Sequence, residues 1–282
     1  MSSCLEPPEL AAGDVFALCI SRVRNPELRA RLALISTNVT QASDTFQDLA
    51  AQIRLHEFVR EAVIGGVVTT SEMETVYTQR MVSKTAPGRP VYDALMSLAP
   101  AGKCPLCAQR DASTLDHHLP KAHYPVLAVT PLNLVPSCKD CNKAKLANLP
   151  TSANEETLHP YFDDIDGDRW LFASVQTTAP ASLRFFVEPP DHWDEVLAAR
   201  MLLHFETLGL GGLYAAQGAD ELLNIRHQLQ IIDDAGGAAT VRSELLARAE
   251  SARAVRVNGW RVSAFEAFAE SNWFCEGGFM AV

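Results

Sequence analysis

Four cysteines in two Cys-x-x-Cys pairs, Cys104/Cys107 and Cys138/Cys141, constrain this chain more than any other feature. Two residues between thiols let both thiolates converge on one ion, and a second pair completes a tetrahedral four-sulfur site. Such a site is closed: it stabilises the fold and leaves no position open for a substrate. The spacing predicts structural Zn2+ held by Cys104, Cys107, Cys138 and Cys141, tying together the thirty residues 108–137 between the pairs. Disulfides are the competing use of these thiols. The opening MSSCLEPPEL has no basic stretch followed by an apolar run, so no secretory leader is expected. A reducing, cytoplasmic location favours metal over disulfide. Of the scattered cysteines, Cys19 lies in the apolar run VFALCI and reads as a buried structural thiol.

The chain has 282 residues, 48% of them hydrophobic, which is enough for two or three lobes with their own cores. Its longest apolar runs, such as 15–20 and 62–68, fall far short of the ~20 residues a membrane span needs, so no membrane partner is expected. A net charge of −10 argues at first against a nucleic-acid partner. The distribution argues the other way. Residues 1–102 carry −2, residues 103–150 carry +3 and residues 151–282 carry −11. The basic charge sits around the cysteine pairs, and charges beyond a Debye length of ~8 Å are largely screened. A local cationic surface can therefore hold phosphates, while the acidic remainder suppresses indiscriminate binding.

Three regions follow from the pattern: a helical N-terminal region (1–100), a core with the cysteine pairs (101–152) and an acidic C-terminal region (153–282). Residues 9–35 read as helical with a break near Asn25-Pro26, and 40–65 as a helix with Phe46, Leu49, Ile53, Phe58 and Val59 as its apolar stripe. Another helix begins at Thr70-Ser71, and a short one covers 90–98. In the C-terminal region the DDIDGD run resembles a calcium loop but lacks the distal glutamate, and reads as a solvated turn. Residues 170–175 and 183–187 read as a β-hairpin. Helices follow, one capped by Asp191, two flanking Gly236-Gly237, and a last one over 263–274.

Between the cysteine pairs lie Asp116-His117-His118 and Asn133, with Asn142 just past the last cysteine. Residues 113–117 suit a strand ended by Pro120, residues 134–136 a second strand, and residues 138–149 a helix. That order puts His117 at the end of the first strand, Asn133 at the end of the loop and Asn142 in the first helical turn.

The run LDHHLPK…NLVPSCKDCNKAK, over about 104–145, resembles the HNH, or ββα-metal, endonuclease family, in the variant with Asn at the third motif position and two zinc knuckles. The resemblance implies an α+β, mainly helical fold built around a ββα-metal core with a four-cysteine zinc site. It implies that Asp116 and Asn142 hold a catalytic Mg2+ (or Mn2+) through hard oxygens. His117 would be the general base, and Asn133 would orient it and brace the loop. Lys143 and Lys145, with Lys121, would hold phosphates. The implied activity is hydrolysis of DNA phosphodiester bonds. Proteins resembling this one are often antiphage-defence effectors paired with an ATPase. Two other readings stay open: a zinc-knuckle nucleic-acid-binding or adaptor protein with an inactive site, and an RNase using the same residues. His118 is expected on the opposite face of the strand from His117; His123 reads as a solvated loop residue, and His159 as a residue away from the site, with an approach to it as the lesser alternative.

Overall fold

The computed structural model describes residues 4–145 and 149–281. The fold is α+β and mainly helical, with three small antiparallel two-stranded sheets among the described residues. The chain divides into two compact units, one running to Asp164 and the other beginning at Ile165. The region read as N-terminal and the cysteine core therefore share one unit, together with the first dozen residues assigned from sequence to the C-terminal region.

In the first unit, helices α1 (Ala12–Ile20), α2 (Pro26–Leu34) and α3 (Ser36–Ala51) pack over Phe16, Leu32, Val39 and Phe46, all buried. The break expected at Asn25-Pro26 is present: the Asn25 side chain accepts from Leu28 N–H, and Pro26 occupies the first helical position, where its missing N–H costs nothing. The helix expected over 40–65 instead stops at Ala51. Ile53 turns left-handed (φ 57°), Val59 is 80% exposed, and Gly65-Gly66 turns a hairpin between β1 (Val63–Ile64) and β2 (Val68–Thr69). Helix α4 (Thr70–Tyr77) starts with a capping box in which Thr69 and Glu72 satisfy each other's backbone N–H. It runs on into a π-helical turn, Thr78–Val82, and α5 (Arg89–Ser97) follows. Strands β3 (Thr114–His117) and β4 (Leu134–Ser137) then pair antiparallel, Asp116 opposite Val135 and His117 opposite Leu134. Helix α6 (Lys139–Lys145) leaves β4 directly; residues 146–148 of the helix read from sequence lie outside the described residues.

The acidic stretch after α6 is not simply a solvated turn. Glu156 is 2% exposed and accepts from both N–H and Nδ1 of His56, and Asp163 accepts from His159 N–H at 2.7 Å. Tyr161 OH donates to Leu134 O at 2.9 Å, so this stretch is fastened to the start of β4.

The second unit packs the hairpin β5 (Leu171–Gln176) and β6 (Ser182–Val187) against α8 (Leu210–Val255) and α9 (Trp260–Glu270). The expected cap of α7 (Glu195–Thr207) shifts to Asp194, whose Oδ1 lies 2.7 Å from Leu197 N, three residues on, where a cap must sit. Gly237 (φ 66°) interrupts α8 at the place the glycine pair suggests. The helix read over 263–274 is broken at Ser271, which caps the short α10 (Asn272–Cys275), while Phe265 and Phe268 are buried in the core. Among the described residues no single helix is long and apolar enough to cross a membrane; only the α7–α8 pair, bent by 61°, passes that test together.

Replacing Tyr161 with Phe removes one buried hydrogen bond without changing the packing. We expect a loss of about 1 kcal/mol and a Tm lower by roughly 2–4 °C in thermal unfolding. An unchanged Tm would mean that this fastening contributes nothing.

Candidate active site and metal centre

Cys104 and Cys107 precede β3, and Cys138 and Cys141 straddle the start of α6. All four are buried, and their sulfurs lie within 4.8 Å of one another. Local turns aim them: Cys104 N–H donates to Arg110 O (2.8 Å), Ala108 N–H to Cys104 O (2.7 Å) and Cys141 N–H to the Cys138 sulfur (3.3 Å). Ala108 takes a left-handed φ of 52° to close the first knuckle. Arg110 and Asp140, one from each knuckle, pair at 3.0 Å. Crowding splits the thiol acidities. Hydrogen bonding within the cluster pushes Cys107 down and Cys138 to about 7, and pushes Cys104 and Cys141 up. Sulfurs around one zinc at ~2.3 Å stand roughly 3.8 Å apart, within the observed spread. This cluster can hold a metal ion such as zinc.

His117 ends β3 and is 8% exposed. Its Nε2 lies 2.9 Å from Ala128 O. A backbone carbonyl only accepts, so Nε2 must carry the proton and Nδ1 keeps its lone pair. The tautomer is thus fixed by geometry. Tyr77 packs edge-on against the ring, centroids 4.4 Å apart, and its OH reaches Leu115 O at 3.4 Å. Burial pushes the imidazole pKa down to about 3, opposed by the Ala128 hydrogen bond and assisted by the charges of Lys121 and Lys145. At neutral pH the ring is an unprotonated base.

Asn133, fully buried, was expected to orient that imidazole and brace the loop; its amide bonds the loop backbone and not the ring. Its Oδ1 accepts from Leu119 N–H (2.7 Å), and its Nδ2 donates to Leu119 O (3.0 Å) and to Leu127 O (3.4 Å). The amide clamps both ends of the loop that presents Ala128, the residue after Leu127.

Asp116 is 5% exposed and its Oδ2 accepts from Lys145 Nζ at 2.8 Å. Burial raises its carboxyl above the ordinary carboxylate range, with Lys145 and then Lys121 pulling it back. Lys145 Nζ also lies 3.5 Å from His117 O and from His118 Nδ1. The sequence reading that put Lys143 and Lys145 together as phosphate contacts is corrected for Lys145. Residues two apart on a helix point to different sides, and Lys145 is 9% exposed whereas Lys143 faces solvent. Asn142 donates Nδ2 to the carbonyl of Leu115, the residue before Asp116, at 3.3 Å, which leaves Oδ1 as the amide's acceptor atom. Lys121 lies over the Tyr77 ring at 5.6 Å.

His118 and His117 have separate neighbours, as strand alternation requires. The His118 ring lies 4.1 Å from that of His159, so the later histidine does approach the site. His123 remains a half-exposed loop residue. Two participants were not found from sequence. Ala128 acts through its carbonyl, which leaves no mark in a side-chain pattern. Tyr77 had a signal only in the buried i, i+4 pair Met73/Tyr77 of α4.

No family model matches the chain, and no solved structure matches it. It is 31% identical over 176 residues to protein ea31 of Escherichia phage lambda, a match covering 61% of this chain and 59% of the phage protein. The chain thus spans about three fifths of the length of that curated relative.

The cysteine cluster predicts close to one metal ion per chain in protein purified without chelator. Cys107→Ala should reduce metal content to background and lower Tm by about 10 °C or more; a variant with unchanged metal content would remove the cluster as the site. The Asp116–Lys145 pair predicts non-additivity. Lys145→Met alone strands a buried carboxylate and should cost about 3–5 kcal/mol, and Lys145→Met/Asp116→Leu should cost less than that single change. Additive losses in denaturant unfolding would contradict the pairing.

Proposed function

We propose that this protein is a metal-dependent endonuclease of the HNH type that hydrolyses DNA phosphodiester bonds. The observation that carries the reading is the fixed tautomer of His117: Nε2–H committed to Ala128 O, and a bare Nδ1 on a buried ring that is neutral at physiological pH. That arrangement leaves Nδ1 as the acceptor that a general base needs.

In this reading Nδ1 takes a proton from the attacking water, and the resulting imidazolium keeps its Nε2–H bond to Ala128 O, which stabilises the charged ring. The diester's own negative charge opposes the burial that holds the imidazole pKa low. Asp116 and Asn142 Oδ1 are the hard-oxygen donors that suit Mg2+, and the Lys145 ammonium on Asp116 Oδ2 already supplies a positive charge at that carboxylate. Bound there, the ion would neutralise charge on the scissile phosphate and stabilise the leaving oxygen. Lys143, exposed on α6, holds a neighbouring phosphate by point charge. Lys145 acts on Asp116 rather than on substrate. The four cysteines would hold zinc, which would keep β3 and α6 in register and take no part in the chemistry. The family resemblance extends the proposal to an antiphage effector working with an ATPase.

The test is plasmid nicking with added Mg2+. Wild type should convert supercoiled DNA to relaxed or linear forms, and His117→Ala should lower the rate by about 10²–10⁴-fold with metal content at the cysteines unchanged. Asp116→Ala should fall similarly, and omission of Mg2+ should abolish cleavage. Equal rates for wild type and His117→Ala would overturn the reading. Cleavage of RNA alone would transfer it to an RNase.

A further inference from the structure

Away from the residues above, four arginines of the first unit converge on one open trough of about 630 Å3. Arg22 and Arg24 come from the turn between α1 and α2, Arg29 from α2, and Arg80 from the π-helical turn after α4. Gln79 and Thr85 add neutral donors to the lining, and no acidic or aromatic residue contributes to it. None of the four guanidiniums makes an ion pair among the described residues; Arg80 only reaches the Arg22 carbonyl, at 3.5 Å. Nearby arginines behave differently. Arg31 is neutralised by Glu72 and Arg89 by Asp93. In a chain of net charge −10, four guanidiniums brought together without a carboxylate repel one another unless an anion joins them.

We propose that this trough binds the sugar–phosphate backbone of DNA, as a second contact beside the cleavage site; the assignment of DNA rests on the nuclease reading above. Guanidinium forks match phosphate oxygens in pairs, and Gln and Thr side chains are the neutral donors that commonly complete such contacts. The lining has no aromatic face on which a base could stack, which favours backbone over a free nucleotide. The trough is also tied to the candidate site through α4. Tyr77, which packs against His117 and lies under Lys121, comes one turn before Arg80. A π-helical turn is a common device at functional sites, and here it carries Arg80.

The experiment is fluorescence anisotropy with a labelled ~30-base-pair duplex, using the full chain as purified, without added magnesium so that nothing is cut. Wild type is compared with Arg22→Ala/Arg24→Ala/Arg29→Ala, three exposed positions whose loss should leave Tm within about 2 °C. The triple variant should bind at least about tenfold more weakly near 0.15 M salt, and its log–log salt slope should be shallower by about 2–3. The Arg→Lys triple should keep most of that slope. Equal affinity and slope for wild type and the alanine triple would overturn the proposal. So would wild type failing to bind the duplex, or pyrophosphate displacing nothing while binding the trough itself, which would assign it to a small phosphate ligand. The outcomes separate from those of the nuclease reading. Arginine-dependent binding without cleavage by wild type keeps the trough and removes the enzyme; cleavage with arginine-independent binding does the reverse.

Discussion

Four buried sulfurs within 4.8 Å of one another hold both ends of the segment that carries every candidate catalytic side chain. Two-stranded ribbons as short as β3–β4 are marginal by themselves. A seven-residue helix such as α6 does not persist alone either. Fixing Cys104 and Cys107 to Cys138 and Cys141 makes the start of the first strand and the start of the helix one object. The Arg110–Asp140 pair repeats that connection at the surface, but exposed pairs contribute little. The sulfur cluster is the constraint on which Asp116, His117 and Asn142 depend for their mutual placement.

Inside that frame the electrostatics are asymmetric. Asp116 and His118 share Lys145, while His117 turns away to Ala128 and Tyr77. A buried carboxylate is tolerated because an ammonium accompanies it, and the imidazole stays neutral because burial disfavours its charged form, with the Lys121 and Lys145 charges adding to that. The same short stretch of strand therefore presents one charged and one uncharged group, with the difference set by what each meets. Those are the two states that the proposed cation ligand and proton acceptor require.

Much of this could be read in the residues. Cysteine spacing gave the cluster because two-residue intervals admit few other geometries. The strand–loop–strand–helix order followed from Pro120, the apolar 134–136 run and the polar helix after Cys138. Burial was harder to read. Lys145, Glu156 and Asp163 look like solvent-facing charges in a linear pattern, yet each is inside with a specific partner, from far along the chain for Lys145 and Glu156 and from the neighbouring turn for Asp163. The long helix expected over 40–65 failed where a left-handed Ile53 and an exposed Val59 replaced periodicity with a hairpin. The Arg22/Arg24/Arg29/Arg80 trough joins residues almost sixty positions apart, so only the fold brings them together.

The partner of His117 is a peptide carbonyl, and that has a consequence for how the site can change. Every residue type offers the same oxygen at position 128, so no single substitution there can delete the acceptor. A change elsewhere in the gene reaches the tautomer by moving the loop, and the buried Asn133 amide is one tie that holds it, at Leu119 and Leu127. The proton position of His117 is written in the backbone, where mutation reads poorly.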